Sequence, residues 1–219
     1  MPPVSDHPLI ECRVPTYRRP DLLRRALTSL QAQTEPRWQA IVLDDSPAAE
    51  AREVVARLGD ERIHYRLNSE PLLASGNIDQ AFAPTPFFEA QAAFVPEDDN
   101  AIAPDFIATV CKRFANGVGP VLSVNQRSVR LDSALCEKPL GVLRPHQTAD
   151  QLWDFERLCL HAFTTRSLPN GGYVWLLGAG IDLSVGQAVR EPQLQECIRQ
   201  TRVRSVTLVP EVLSVWSLV

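Results

Sequence analysis

The run LIECRVPTYRRPDLLRRALTSLQAQTEPRWQAIVLDDS, residues 9–46, decides the fold class. Residues 9–14 are apolar and β-branched at their end, which predicts a strand, and Pro15-Thr16-Tyr17-Arg18-Arg19-Pro20 breaks it. Pro20 suits the first position of a helix, because the N–H it lacks would have no intrahelical partner there. Leu22, Leu23, Ala26, Leu27 and Leu30 recur at three- and four-residue spacing, with Arg24, Arg25 and Thr28 on the other face. A one-sided helix to about Gln33 is therefore predicted. Residues 38–43 form a second predicted strand that ends in Asp44-Asp45.

The alternation continues on the C-terminal side. Ser46-Pro47 reads as an N-cap and first-turn proline for a helix to Leu58, with Val54, Val55 and Leu58 inward. Strands are predicted over 63–67 and 92–95, and helices over 75–82 and 104–114. Strand and helix at this spacing argue for parallel strands joined by right-handed crossovers. Beyond Gly117 the pattern thins to one or two strands over 121–131, a helix over 151–163 and a late strand over 206–209. Turns are expected at Asn170-Gly171-Gly172 and Gly178-Ala179-Gly180. No repeat or linker divides the chain, so one domain over 1–219 is expected, with halves of about 9–116 and 117–219 sharing a sheet.

Composition removes several function classes. The chain has 219 residues, 45% hydrophobic and 22% charged, which excludes disordered and collagenous classes. With 22 Lys and Arg against 26 Asp and Glu, the net charge of −4 carries no footprint for nucleic-acid binding. The longest apolar stretch, residues 173–181, falls far short of the roughly eighteen residues that span a bilayer, so no transmembrane segment is expected. The first eight residues lack a basic patch followed by an apolar run, which gives a cytoplasmic expectation, with room for peripheral attachment at the inner membrane face. Cys12, Cys111, Cys136, Cys159 and Cys197 form no C-x-x-C pair and read as reduced thiols. His7, His64, His146 and His161 lack metal-ligand spacing, and the tryptophans read first as core residues, with one of them near an acceptor sugar as the alternative.

In an open parallel sheet, ligands bind beyond the carboxyl ends of the strands. Asp44-Asp45 closes the second predicted strand, and Pro96-Glu97-Asp98-Asp99-Asn100 follows the fourth. Carboxylates about 4 Å apart repel by about 4 kcal/mol at an effective dielectric near 20, so such a cluster needs neutralising. Mg²⁺ or Mn²⁺ does so with one or two carboxylates and completes its shell with substrate phosphates and water. A ring N–H or ribose hydroxyl on a ligand offers a second outlet. Taken singly, each Asp-Asp pair reads more readily as a solvated turn or cap; two pairs on one edge favour a site.

Three segments carry a family resemblance: Val14-Pro15-Thr16-Tyr17-Arg18-Arg19-Pro20-Asp21-Leu22-Leu23, Leu30-Gln31-Ala32-Gln33-Thr34, and Ile41-Val42-Leu43-Asp44-Asp45-Ser46. In order and spacing they resemble the opening of family 2 glycosyltransferases. Ala74-Ser75-Gly76-Asn77 is similar to that family's next sugar-nucleotide loop, and residues 94–100 with Pro104-Asp105-Phe106 resemble its D-x-D segment and following helix. The resemblance covers about residues 9–114 and implies an α/β GT-A-like fold: a Rossmann-related, mixed and mostly parallel sheet flanked by helices. It also implies transfer of a single sugar from a nucleotide-diphosphate-sugar donor, UDP-, GDP- or dTDP-linked. The acceptor would be a glycan, a lipid-linked glycan or a small-molecule hydroxyl.

By the same resemblance, Pro15, Thr16, Tyr17, Arg19, Ser75 and Asn77 would line the nucleotide site, and Asp44 or Asp45 would accept from the base. Asp98 would reach the ribose and Asp99 would hold Mn²⁺ or Mg²⁺. Leu73, Asp79 and Gln80 stand where the family commonly has Gly, Asn and Arg. Inverting members need a carboxylate base for the acceptor hydroxyl. Counting back from Val209-Pro210-Glu211-Val212-Leu213-Ser214 puts Pro192-Gln193 at the family's acidic pair, which leaves Glu191, then Asp182, as the expected catalytic residues, with Glu196 behind them. Gln200-Thr201-Arg202-Val203-Arg204 does not keep the Gln-x-x-Arg-Trp spacing of processive synthases, so single addition is expected. Two rivals are a sugar nucleotidyltransferase, disfavoured by the absence of a glycine-rich loop after the first strand, and a GT-A module that binds without turnover.

Overall fold

A computed structural model describes residues 8–164, 168–186 and 189–218; the leader-free N-terminus expected above, with His7, lies outside the described residues. The first part alternates: β1 (Ile10–Thr16), α1 (Pro20–Gln31), β2 (Trp38–Asp44), α2 (Glu50–Leu58), β3 (Ile63–Leu67), α3 (Leu73–Ala81), β4 (Ala92–Phe94), β5 (Ala101–Ile102) and α4 (Phe106–Ala115). There follow β6 (Val121–Leu131), β7 (Glu137–Val142), β8 (Gln151–Asp154), α5 (Phe155–Thr164), a 3-10 turn (Asn170–Gly172), β9 (Tyr173–Leu176), α6 (Pro192–Gln200) and β10 (Ser205–Leu218).

All the strands share one sheet in the order β3-β2-β1-β4-β9-β6-β10-β5, with β7 added on β6 and β8 on β10. The pairs β1–β2, β2–β3 and β1–β4 are parallel. In the order 3-2-1-4 the winding reverses at β1, and a crevice opens where the loops after β1 and β4 part. Strand β9 runs antiparallel to both β4 and β6 and joins the two halves through one sheet.

Around β1, β4 and β9 the sheet is buried on both faces. Ile10, Cys12 and Val14 of β1 pack with Leu23, Leu27 and Phe106 of the helices, whereas Ile41, Leu43, Ala93 and Val95 pack with Phe82, Trp175 and Leu183 on the other side. On that second face β1 also carries Glu11 and Arg13, both fully buried. Arg13 pairs with Glu11 at 2.5 Å and donates to the carbonyls of Ala81, Ala83 and Thr85, while Glu11 accepts from the backbone N–H groups of Phe87 and Phe88. The pair thereby pins the long connection from α3 to β4.

Four differences from the sequence expectations have physical causes. Residues 151–154 are strand rather than helix, because Trp153 is buried against β10; the helix begins after Asp154, whose Oδ1 accepts the Arg157 N–H at 2.9 Å. Strand β10 extends over 14 residues, and register shifts around Val212, beside the N–H-less Pro210, hid its length. Every residue of β7 is exposed, so no apolar pattern announced it. Ser46 does not cap α2: Ala49, at φ 56°, precedes that helix, and Ser46 Oγ accepts the Arg18 N–H at 2.8 Å. Among the described residues no helix is long and apolar enough to cross a membrane.

Candidate active site

The carboxyl ends of β1, β2 and β4 bring the two acidic pairs to one edge, as parallel register requires: Thr16 lies opposite Asp44 in the β1–β2 ladder. The structure then divides the first pair. Asp44 has no exposed surface and is consumed locally, accepting from the N–H groups of Ser46 and Ala51 and from the Tyr65 hydroxyl. Asp45 reaches the rim. Its Oδ1 accepts from Asn68 Nδ2 and the Leu72 N–H, and its Oδ2 from the Leu73 N–H at 2.8 Å. It thus supplies the cap that α3 lacks in its own sequence, and with three of about four acceptor positions filled it keeps one for a ligand.

Asn77 and Ser75 lie behind this rim on α3. Asn77 Nδ2 bridges the carbonyls of Thr16 and Leu43, and its Oδ1 accepts from Asn68 and Gln80. Its amide is therefore spent on holding the loop after β1 against β2. The Ser75 carbonyl accepts from Gln195 Nε2 at 3.2 Å, which ties α3 to α6. Pro15 is buried within β1, whereas the Tyr17 ring is half exposed beneath the Arg18 guanidinium at 5.2 Å. Arg18, at φ 54°, turns the chain so that Arg19 points back over the second acidic pair.

Asp98 is buried, and its Oδ2 accepts from Thr16 Oγ1 at 2.7 Å. Arg19 Nη1 lies 3.4 Å from Asp98 Oδ1 and 3.0 Å from Asp99 Oδ2, so one exposed guanidinium neutralises both. Burial, partly offset by the Thr16 hydroxyl, pushes the Asp98 carboxyl up to about 6. Asp99 is also raised, by burial, against the pull of Arg19. Among the described residues no three His, Cys, Asp or Glu side chains converge as a metal cage. The donor set is instead one exposed-edge carboxylate, Asp99, beside Asp98, which suits a hard cation that takes its remaining oxygens from a ligand.

Glu97 extends the cluster towards the turn at Asn170. Burial, then Asp99 and Glu196, push its carboxyl up to about 8. Its Oε2 accepts from Asn100 Nδ2 and its Oε1 from Asn170 Nδ2 at 3.4 Å, while the Asn170 N–H faces Glu196 Oε1 at 3.4 Å. Asn170 Oδ1 in turn accepts from Arg199 Nη1 at 2.9 Å, and Arg199 Nη2 pairs with Asp79 at 3.2 Å. Arg199 has no exposed surface and also stacks over Phe82 at 4.0 Å. One buried cation therefore locks α6 to α3 and to the turn at Asn170. The two glycines of that turn are needed for closeness: a Cβ on Gly171 would stand 3.1 Å from Asn100 Nδ2, and one on Gly172 would stand 3.2 Å from the Val124 carbonyl.

The candidate bases separate clearly. Glu191 is exposed at the N-cap of α6, with its carbonyl accepting the Gln195 N–H. Asp182 is exposed and accepts from the Ser184 N–H and hydroxyl. Glu196 instead lines a cleft of about 1210 Å³ between β8, α5, α6 and β10, and it reaches the carboxylate loop through Asn170. Sequence reasoning had placed Glu97 in the acidic run and Glu196 third among the candidate bases, but it did not join them to Asn170, Arg199 and Asp79; the legible signal for that junction was an asparagine preceding two glycines.

Comparisons with solved structures bear on the fold. The chain resembles the crystal structure of Staphylococcus aureus TarS residues 1–349, at a TM-score of 0.71 and 11% identity over 95% of this chain and 60% of that one. The same protein in complex with UDP-GlcNAc matches at a TM-score of 0.70 and 12% identity, over 96% and 58%. The mannosyltransferase PcManGT from Pyrobaculum calidifontis, in complex with GDP-Man and Mn²⁺, matches at 0.62 and 14% identity, over 96% and 57%. The chain thus spans roughly three fifths of the length of these structures, and at such identities the likeness is one of fold, the GT-A-like mixed α/β architecture. No curated protein sequence matches the chain significantly. The sequence profile of Glycosyl transferase family 2 matches residues 13–156, most of the chain, and on that match the protein belongs to glycosyltransferase family 2.

Proposed function

We propose that the protein transfers one sugar from a nucleotide-diphosphate-sugar donor to an acceptor hydroxyl. The observation that carries this reading is the junction of two sites at one sheet edge. Thr16, Asp45 and Asp98 stand at the strand ends, and Asn170 joins their loop to the cleft lined by Glu196. The donors bound in the TarS and PcManGT structures, UDP-GlcNAc and GDP-Man, support a nucleotide-sugar ligand for this fold.

Asp45 accepts from the base with its remaining lone pair, and Asp98, oriented by Thr16, accepts from the ribose. Tyr17 offers its exposed ring face beside them, and Arg19 swings from the carboxylates towards the diphosphate. Asp99, with Asp98 beside it, would hold Mn²⁺ or Mg²⁺. When bound, such an ion supplies electrostatic stabilisation of the charge that grows on the leaving diphosphate. Glu196 takes the proton of the acceptor hydroxyl as its oxygen bonds to the anomeric carbon and the carbon–diphosphate bond breaks, with inversion. Asp79, Arg199 and Asn170 are positioning residues that hold the helix bearing Glu196 against the donor loop.

The test is titration of UDP, GDP and dTDP with and without Mn²⁺, followed by donor hydrolysis without acceptor. Metal-dependent binding of one nucleotide with slow release of its sugar is the expected result. Binding without hydrolysis by any sugar nucleotide would make the chain a binding module, and absence of nucleotide binding would overturn the reading.

A further inference from the structure

The cleft lined by Glu196 also carries cationic and aromatic side chains. Its lining includes Arg144, His146, Trp153, His161 and Trp216. Arg144 is the informative member. Its Nε donates to Gln147 Oε1 and its Nη2 to the carbonyls of Ser123 and Val209, so the guanidinium is held in place by neutral partners. Among the described residues no carboxylate lies within ion-pair distance of it, and no hydrogen bond uses its Nη1. Burial pushes its ionisation down to about 10, against a smaller pull from the buried Tyr173 phenol; no carboxylate contributes.

A half-buried guanidinium without a counter-anion is costly, and proteins keep one where an anion is delivered. The surroundings strengthen the point. Arg157 lies over the Trp153 ring at 4.5 Å, and the His161 ring meets the same tryptophan edge-on at 4.9 Å. Burial, then Arg144 and Arg157, keep His161 below its ordinary value, so this part of the cleft already holds positive charge and its imidazole stays neutral. Trp216, part exposed, adds apolar surface of the kind on which sugar rings rest.

We infer that the cleft takes an anionic acceptor: a hydroxylated sugar or polyol bearing a phosphate or carboxylate, with its oxyanion on Arg144 and its reactive hydroxyl towards Glu196. That this ligand is the acceptor rests on the glycosyl-transfer reading; that the cleft selects an oxyanion does not. Either oxyanion can accept from the N–H groups of Nη1, and the same group can arrive on a soluble molecule or on a lipid headgroup.

The probes are glucose 6-phosphate, glucuronate and glucose, measured by saturation-transfer NMR without nucleotide, and vesicles of phosphatidylglycerol against phosphatidylcholine. Glucose 6-phosphate or glucuronate should bind about tenfold more tightly than glucose, the factor that one charged hydrogen-bonding site supplies. If only the phosphatidylglycerol vesicles are preferred, the oxyanion is lipid-borne and the inference stands in that form. R144Q should abolish the preference and R144K should keep part of it. Should R144Q fail to fold, the wild-type comparison still decides. Equal binding of charged and neutral probes throughout overturns the inference, as does a preference that survives in folded R144Q. Nucleotide titration on the same sample separates the two readings: anion preference without nucleotide binding sinks the transferase reading alone.

Discussion

Thr16 Oγ1 donates to Asp98 Oδ2 at 2.7 Å, joining residues 82 positions apart across the crevice between β1 and β4. The bond is the geometric seam of the candidate site. It lets a buried carboxylate keep its charge and fixes which of its oxygens faces outward. T16V removes the donor while keeping the β-branched shape. Because the bond is charge-assisted, stability should fall by about 1.5–3 kcal/mol and nucleotide affinity by roughly tenfold. Urea unfolding and calorimetric titration of UDP, GDP and dTDP measure the two effects. Unchanged affinity in a folded T16V would detach Asp98 from the ribose.

Glu97 makes the metal-free protein sensitive to alkali. Its folded-state value of about 8 lies far above that of an unfolded glutamate, so from pH 6.5 to 8 the unfolded chain has released this proton while the folded chain still holds it. Stability must then fall as pH rises, by about 1–2 kcal/mol across that window. His161, whose value is lowered, favours the folded state as pH rises; most of that gain comes below its ordinary value of 6.5, and its tail within the window offsets only a small part of the fall. Urea unfolding at pH 6.5 and 8 should show the loss in wild type and not in E97Q, and Mn²⁺ should reduce it by neutralising the loop. A wild-type curve flat between those pH values refutes the coupling.

The shared edge of the two acidic pairs was legible in the sequence because its placement is a matter of topology. Once β1, β2 and β4 are parallel, Thr16, Asp45 and Asp98 must share an edge, whatever the side chains then do. The acceptor side was not, because its determinants contradict the usual meaning of their residue types. No helix was expected over residues 192–200, where Glu196 stood third among the candidate bases, and Arg199, of a type that is mostly exposed, is fully buried there. Glu11 and Arg13 alternate with Ile10, Cys12 and Val14 in the pattern of a half-exposed strand, although both faces are covered. Buried ion pairs look the same as surface charges until the opposing layer is known. Ser46 shows the reverse: a capping residue by type, it was taken by the Arg18 N–H from another loop.

The Asp79–Arg199 pair ties α6 to α3 with one partner wholly buried. D79A leaves the guanidinium without its anion, and breaking a buried pair from one side costs about 3–5 kcal/mol. The carboxylate of Asp79 also accepts the Val185 and Gly186 N–H groups, so the loop before α6 loosens with it. D79N retains an acceptor and should recover part of the loss. Denaturant midpoints rank the three proteins; a D79A midpoint equal to that of wild type would mean the pair carries no net stability.

Glu196 and Glu191 share α6 but not its surroundings, and turnover can tell them apart. Glu196 faces the cleft and meets Asn170, which also binds Glu97 of the donor loop; Glu191 stands exposed at the helix start. If the acceptor hydroxyl gives its proton to Glu196, E196Q keeps the shape and hydrogen-bonding reach of the side chain but removes the base. Turnover should fall by about 10²–10⁴-fold, the usual contribution of a positioned base, while nucleotide affinity changes little. The pH–rate profile adds a readout that packing alone would not move: its acidic limb should vanish in E196Q. A comparable fall in E191Q, with E196Q retaining both its rate and its acidic limb, would transfer the role to the helix cap and leave the cleft to bind the acceptor without assisting its attack.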